Sequence, residues 1–325
     1  MKAIIVKQPG GADQLELSNQ PKPVPKEAEL LIKVEATAVN RTDIINRESS
    51  SGYLNHPILG VEVAGIVEKT VPGSTIKEGD RVMGLVNGGG YAEYAVMPVE
   101  RAMIIPDKLS FVEAAAIPEV FLTAYQTLFW LGNLQEGETV LIHAGGSGVG
   151  TAATQLATQL GKAHAIITAG SKEKLDFGKS LGADLAINYK VKEFDQEVLK
   201  ATNNQGVDLI LDFIGASYWE KNMGSIKVDG RWVLIGILGG STVKSLNLRD
   251  LMMKRIQLTG TLLTPRSDEY KANLTKEFIS KTYELFENDQ LKPIVDRTFS
   301  LNQMSQAHEH MGNNKNIGKI VIEVG

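Results

Sequence analysis

The hydrophobic positions along the chain follow two regimes. Over roughly the first 120 residues, short β-branched runs, "KAIIV", "LLIKVEATAV", "VEVAGIVEK", "DRVMGLV" and "YAEYAVMP", are separated by Gly, Pro and Asp. That spacing predicts strands joined by turns, and hence a small barrel or sandwich. From about residue 123 the strand-like runs "TVLIHA", "HAIITA", "LAINY", "VDLILDFI", "RWVLIGI" and "IQLTGTLL" alternate with helical stretches. Such alternation predicts a doubly wound parallel sheet built from right-handed strand–helix–strand units. A helix over "TKEFISKTYELFEND" and a last strand over "GKIVIEV" are expected to return to the first domain. The expected division is therefore 1–122 with 264–325, and 123–263. No repeats or low-complexity linkers interrupt it.

Composition narrows the function classes. The 325 residues are 43% hydrophobic and 22% charged, with a formal net charge of -4. A mildly acidic chain gives no reason to expect nucleic acid or an anionic membrane as partner. No apolar run reaches membrane-spanning length. "MKAIIVKQPGG" has a second lysine inside its short apolar stretch and no cleavage-like site, so no signal peptide is read and the cytosol is the expected compartment. Cysteine is absent, which removes disulfides, thiolate metal ligands and cysteine catalysis together.

The candidate chemistry begins at "VLIHAGGSGVGTAATQLATQLGK", residues 140–162. Val149, Ala152, Ala153, Leu156, Ala157 and Leu160 fall on one helical face of mostly small apolar residues, suited to packing closely on a sheet. Gly145 serves the tight turn and Gly150 the close helix–strand approach. Ser147 stands where the dinucleotide fingerprint has its middle glycine, beside Gly148. Its hydroxyl offers phosphate a donor, and the helix N-terminal amides supply the rest. A bare strand-to-helix turn is the plainer reading, but the surrounding alternation favours a cofactor site. At the second strand end, where NAD sites carry an acid, the chain reads "ITAGSKEK". Ala169 and Gly170 are followed by Ser171 and Lys172, with Lys174 beyond. No carboxylate there repels a 2′-phosphate, and Ser171 with Lys174 can bind one, so NADPH is expected over NADH. A capping role for Ser171 on the helix that follows is compatible with this.

In their order, "GVEVAGIVEK", "EGDRVMGLV", "GGGYAEYAV", "AAAIPEVFLTAYQTLF", "HAGGSGVGTAA", "TAGSKEK" and "NIGKIV" resemble the medium-chain dehydrogenase/reductase superfamily. Within it the chain resembles the zinc-independent NADPH:quinone oxidoreductases, and "GASYWEKN" and "DGRWVL" are most like the tumour-suppressor-inducible type. The resemblance implies an α/β protein with a GroES-like β-barrel domain and a Rossmann domain. Where zinc-dependent relatives place a cysteine and a histidine, this chain has Asn40 and Val61. His308 and His310, two apart, face different sides of a helix, and His143 and His164 are expected to serve the sheet.

By the same resemblance, Asn40 and Thr123 lie near nicotinamide and substrate, and Tyr53 at the substrate mouth. Tyr53 is equally readable as a surface residue, and Asp43, a further candidate for chemistry, as a helix cap. Tyr189 is expected to pack on the adenine. Ser147, Gly148, Val149, Gly170, Ser171, Lys174, Ile214, Gly215, Gly236, Leu262 and Asn316 complete the expected cofactor-binding set. The expected function is NADPH-dependent, zinc-free reduction of a small-molecule quinone or related electrophile, with Asn40 and Tyr53 as donors to the developing oxygen anion. Reduction of activated C=C bonds in enones or enoyl thioesters, or NADPH binding with little turnover, are the rival readings. The resemblance also implies a homodimer.

Overall fold

The computed structural model describes residues 1–49 and 56–325, and these divide into two compact units, Met1–Leu122 with Leu263–Gly325, and Thr123–Leu262. Tyr53 lies outside the described residues.

The first unit opens with β1 (Lys2–Val6), β2 (Leu15–Asn19) and β3 (Glu29–Val39), followed by α1 (Arg41–Glu48). After it come β4 (Glu62–Lys69), β5 (Arg81–Leu85), β6 (Tyr94–Pro98), β7 (Met103–Ile104), α2 (Phe111–Ala115) and α3 (Pro118–Tyr125). The boundary between units falls within α3. The second unit runs β8 (Thr139–Ile142), α4 (Gly148–Gln155), β9 (His164–Ala169), α5 (Lys172–Ser180), β10 (Leu185–Asn188) and α6 (Phe194–Ala201). It continues with β11 (Val207–Asp212), α7 (Trp219–Ser225), β12 (Ile226–Leu234), α8 (Leu248–Lys254) and β13 (Gln257–Gly260). The chain then returns to the first unit as α9 (Asp268–Glu287), β14 (Val295–Ser300), α10 (Met304–Gly312) and β15 (Lys319–Glu323).

In the first unit seven strands form one sheet, ordered β14-β15-β3-β4-β5-β7, with β6 also on β3, while β1 and β2 form a separate hairpin. The eleven residues of β3 allow one edge to serve two partners. Glu29–Lys33 pair with β6, and Ala36–Val39 pair with β15. The opposite edge pairs with β4. Leu30, Ile32 and Val34 pack with Val63, Val67, Val82 and Met97 in one core. A second core gathers Val39, Ile58, Tyr91, Met304 and Ile320. Registers place Ile320 opposite Val39 and Val63 opposite Thr37. The end of β3 and the starts of β4 and β15 therefore meet side by side, which brings positions 40, 62 and 319 together.

In the second unit six parallel strands are ordered β10-β9-β8-β11-β12-β13. Counted within the unit this is the order 3-2-1-4-5-6, which reverses direction between β8 and β11, where doubly wound sheets bind ligands at their carboxyl ends. The expected helical face after the glycine turn holds only through Ala157. From Leu156 the helix widens into a π turn, closed by Gly161 N–H to Leu156 O at 2.9 Å. That widening leaves Leu160 partly exposed while Leu156 and Ala157 stay buried.

Candidate functional site

The glycine turn has the shape that a phosphate site requires. A side chain at Gly150 would collide with the Ala144 carbonyl and crowd Gly145, so α4 can approach its strand this closely only with glycine there. Ser147 is the N-cap of α4, and its Oγ accepts from the Gly150 N–H at 3.0 Å. The hydroxyl hydrogen is still available to donate outward. Ser147, Gly148 and Val149 are partly exposed, so the amides of the first helical turn are accessible to an anion.

At the end of β9, Ser171 caps α5 by accepting from the Lys174 N–H at 3.4 Å. The Lys174 stem packs over Gly146, which ties the second strand end to the glycine turn. Gly170 has two neighbours of different kinds, the Tyr189 hydroxyl and the Lys190 side chain. Lys190 is thus a cation at the expected 2′-phosphate end that the sequence reading did not include. Tyr189 is 41% exposed and meets Tyr218 edge-on at 6.1 Å, an available aromatic face. After β11 the turn is fixed by buried Asp212. Its Oδ1 accepts from Ile214 N–H at 2.7 Å and Gly215 N–H at 3.0 Å, while Oδ2 accepts from Asn222 and from the Trp232 indole. Gly215 has φ 79°, a left-handed conformation that glycine adopts without strain. Gly236 is half-buried and Leu262 41% exposed, both beyond parallel strands of this sheet. Thr123 is buried, and its carbonyl accepts from Thr127 Oγ1. His143 is fully buried between Thr168 and Asn222, and His164 lies beside Asp184.

The first unit holds a denser polar constellation. Asn40 ends β3 as the N-cap position of α1, and its side chain is buried. Its Oδ1 accepts from Lys319 Nζ at 2.6 Å, and its Nδ2 donates to Glu62 Oε1 at 2.7 Å. Lys319 also donates to the same Glu62 oxygen at 2.8 Å and to Val39 O at 3.1 Å. Glu62 Oε2 accepts from the Glu119 N–H at 2.7 Å, so every oxygen of this buried carboxylate has a partner. The ion pair, 3% and 0% exposed at its two side chains, is thereby hydrogen-bonded on all sides, as a buried pair requires. Burial pushes the half-buried Glu119 carboxyl up to about 8, with Glu62 adding to the push.

Asp43 has the capping geometry. It is fully buried and accepts from Asn40 N–H at 2.8 Å and Gly60 N–H at 3.2 Å. The Tyr91 hydroxyl also bonds it, and burial still raises it to about 6. Behind Tyr91 stands His308, its Nε2 3.2 Å from the hydroxyl and its Nδ1 3.2 Å from Arg47 Nη1. Arg47 can only donate, so His308 carries its hydrogen on Nε2 and passes a donor to Tyr91. His310 instead pairs with Asp296 at 2.8 Å. Among the described residues no group of three or more His, Asp or Glu could hold a metal ion. Asn316 donates to Gly318 O at 2.8 Å, a local turn contact.

The structure thus brings Asn40 and Asp43 together and sets Ser147, Gly148, Val149, Ser171 and Lys174 around the glycine turn of their own unit. The sequence reading did not assign Lys319, Glu62, Glu119 or Tyr91 to the site. "GKIV" and "GVE" were visible as motifs, but nothing local linked the two.

Comparison with known proteins finds one family match inside the first unit and a second that covers most of the other and runs on into α9. Residues 26–107 match the family model of the alcohol dehydrogenase GroES-like domain, and residues 148–279 that of zinc-binding dehydrogenases. Human quinone oxidoreductase is 31% identical over 319 residues, covering 96% of this chain and 94% of that protein. The mouse synaptic vesicle membrane protein VAT-1 homolog-like is 31% identical over all of this chain and 81% of its own length. The structure of Escherichia coli quinone oxidoreductase complexed with NADPH superposes with a TM-score of 0.90 at 26% identity, covering 99% of this chain and 100% of that one. The CurK enoyl reductase superposes at 0.87 with 27% identity, covering 100% and 99%.

Proposed function

Since the chain belongs to the medium-chain dehydrogenase/reductase superfamily, as an NADPH-dependent oxidoreductase of its quinone oxidoreductase type, we propose that it reduces quinones without a metal. The carrying observation is the Lys319 ammonium bonded to Asn40 and Glu62. Of the two positions where zinc-dependent relatives carry a cysteine and a histidine, one is buried Val61 and the other is an amide already bound to a fixed cation. A quinone is a strong enough acceptor to need no Lewis acid, so positioning and electrostatics suffice.

When bound, NADPH supplies the hydride. Ser147, Gly148 and Val149 would hold its pyrophosphate, and Ser171, Lys174 and Lys190 its 2′-phosphate. Tyr189 would face the adenine, and Thr123, Gly170, Ile214, Gly215, Gly236, Leu262 and Asn316 would complete the contacts. Asn40 retains a second Nδ2 hydrogen, whose nearest acceptor is Ala38 O at 3.4 Å, and would turn it to the acceptor's developing O⁻. Asp43 would position Asn40 through its backbone. Tyr53 is kept as a second donor at the substrate mouth.

The likeness to an enoyl reductase favours a second reading, reduction of an activated C=C bond on the same scaffold. Anaerobic NADPH oxidation against quinones, enones and enoyl thioesters side by side decides between them. Quinones are expected to give the highest kcat/KM. Preference for an enoyl thioester would replace the first reading with the second, and tight NADPH binding without oxidation would remove both.

A second copy of the chain is the proposed partner. Among the described residues β13 is an edge strand, paired only with β12, and Leu258 on it is 42% exposed. Preceding α8 exposes Leu248, Met252 and Met253 by 62%, 75% and 65%. An unpaired edge beside exposed apolar side chains is suited to a matching edge.

A further inference from the structure

Lys271 has no task in the arrangement described so far, yet it is one of the most unusual side chains in the first unit. It lies in the first turn of α9, one residue beyond Tyr270, whose N–H the N-cap Ser267 holds, and is only 4% exposed. Its ammonium donates to Asn87 Oδ1 at 3.2 Å, and that same oxygen accepts from Arg101 Nη1 at 2.8 Å. An ammonium has three hydrogens, and among the described residues this is its only hydrogen bond. Buried ammonium donors are normally satisfied, so the remaining two call for a partner.

Those hydrogens have a place to go. Lys271 lines a cavity of about 10 Å³, room for one water-sized group, together with Glu119, Thr264 and the apolar Val61, Leu85, Val86 and Leu263. Lys271 and Glu119 stand on its wall without forming an ion pair within 4.0 Å of each other. Val61, where zinc-dependent relatives carry a histidine, is part of the same wall. An apolar cup with two convergent proton-bearing groups is the form of a site that receives a single oxygen.

We propose that Lys271 is a catalytic residue that seats an oxygen of the acceptor in this cavity and gives it the proton that reduction requires. The proposal rests on the acceptor reduction put forward above. The hydride forms its new bond at the far end of the acceptor's conjugated system, the other oxygen of a quinone or the β-carbon of an enone, and the displaced π pair comes to rest on the seated oxygen as O⁻. The Lys271 N–H bond then breaks as an O–H bond forms. The neutral amine regains its proton from solvent, with Glu119 on the same cavity wall as a carboxyl to relay it.

The surroundings suit this task. Burial first and Arg101, from the segment before β7, second bring the Lys271 ammonium down to about 8, against the opposing pull of Glu119 from α3 and Asp268 on its own helix. Glu119 in turn faces Glu62, Lys319 and Asp43. A donor that releases its proton near neutral pH is the efficient one for general acid catalysis.

Two measurements test it. In cofactor-free protein labelled with carbon-13 at the lysine ε-carbon, para-nitrophenol serves as a mimic of the reduced oxygen. The signal that disappears in Lys271→Met should shift on its addition and titrate at higher pH, since a bound phenolate holds the ammonium proton. In turnover, wild-type kcat should fall above about pH 8. Lys271→Met should lose roughly 10²- to 10⁴-fold in kcat together with that alkaline limb. Lys271→Arg, which keeps the charge but is too basic to release a proton, should still bind para-nitrophenol while losing kcat. Glu119→Gln should move the limb to lower pH. A Lys271 signal indifferent to para-nitrophenol, or wild-type kcat and pH profile in folded Lys271→Arg, would overturn the proposal. A wild type that oxidises NADPH with none of the quinones, enones or enoyl thioesters would sink the functional reading, and the nitrophenol titration would still decide Lys271.

Discussion

Asn40 carries two loads at once, a hydrogen-bond acceptor for Lys319 and a donor for Glu62. Asn40→Ala should therefore lower kcat with a quinone roughly 10- to 1,000-fold, the scale of one lost donor to an oxyanion. It should also lower the melting temperature, because Lys319 loses a buried partner. Unchanged kcat with lowered stability would leave Asn40 a structural role alone. At the cofactor end, a hydrogen bond to a charged group contributes about 1.5–3 kcal/mol. Lys174→Ala should then weaken NADPH roughly 10- to 150-fold and NADH much less, in titrations at one ionic strength. Equal losses for both would remove the 2′-phosphate assignment. Asn40 was legible in the sequence because it takes a ligand's place in a motif, and Ser171 and Lys174 because they fill a position where an acid is usual. Lys319 and Lys271 were not. Their partners Asn40 and Asn87 lie 279 and 184 positions away, and no periodicity connects such distances.

Single elements were legible to differing degrees for a physical reason. The parallel strands are buried on both faces and read as continuous apolar runs, so β8, β9 and β11 were found from hydrophobicity alone. β14, "VDRTFS", combines half-buried with exposed positions, has no buried one, and gives no such signal. α10 was seen only as a pair of histidines, one of which is the core of a buried donor series. His308 is held near 3, well below its usual 6.5, by burial first and by Arg47 second. Since its folded value lies below the unfolded one, the unfolded chain binds the extra proton between these values. Its stability contribution is complete above about pH 6.5 and is lost as pH falls toward 3. Asp43, raised to about 6, works the other way and costs stability as pH rises from about 4 to 6. His308→Gln should flatten the acid-side loss in denaturant titrations across this range. At neutral pH it should cost about 1–3 kcal/mol for the unmatched Tyr91 and Arg47. An acid limb identical to wild type would place the titrating group elsewhere.

For the molecule as a whole, two properties follow from its surface and its inventory. Met252→Glu and Leu258→Lys put charge on the proposed self-association edge, and each should turn a dimer into a monomer in analytical ultracentrifugation without altering the melting cooperativity. A wild type that sediments as a monomer at micromolar concentration would end the dimer proposal. Quinone reduction should survive exhaustive chelation, because no residue at the two zinc-ligand positions offers a thiolate or imidazole. Activity lost to a chelator and restored by zinc would contradict the reading. No helix among the described residues is long and apolar enough to cross a membrane.

The pairing of β15 with β3 also has a consequence for biosynthesis. Lys319 and the Val39 carbonyl it bonds are separated by 280 positions, and the whole of Thr123–Leu262 is translated between them. On the ribosome the parallel sheet can be complete while Ala36–Val39 still wait for Ile320–Glu323. During that interval the Ala36–Val39 edge of β3, buried in the finished fold, is an open template for a foreign strand. The chain's greatest exposure to misassembly thus falls late in translation, and it ends with the arrival of the segment that delivers the ammonium to Asn40.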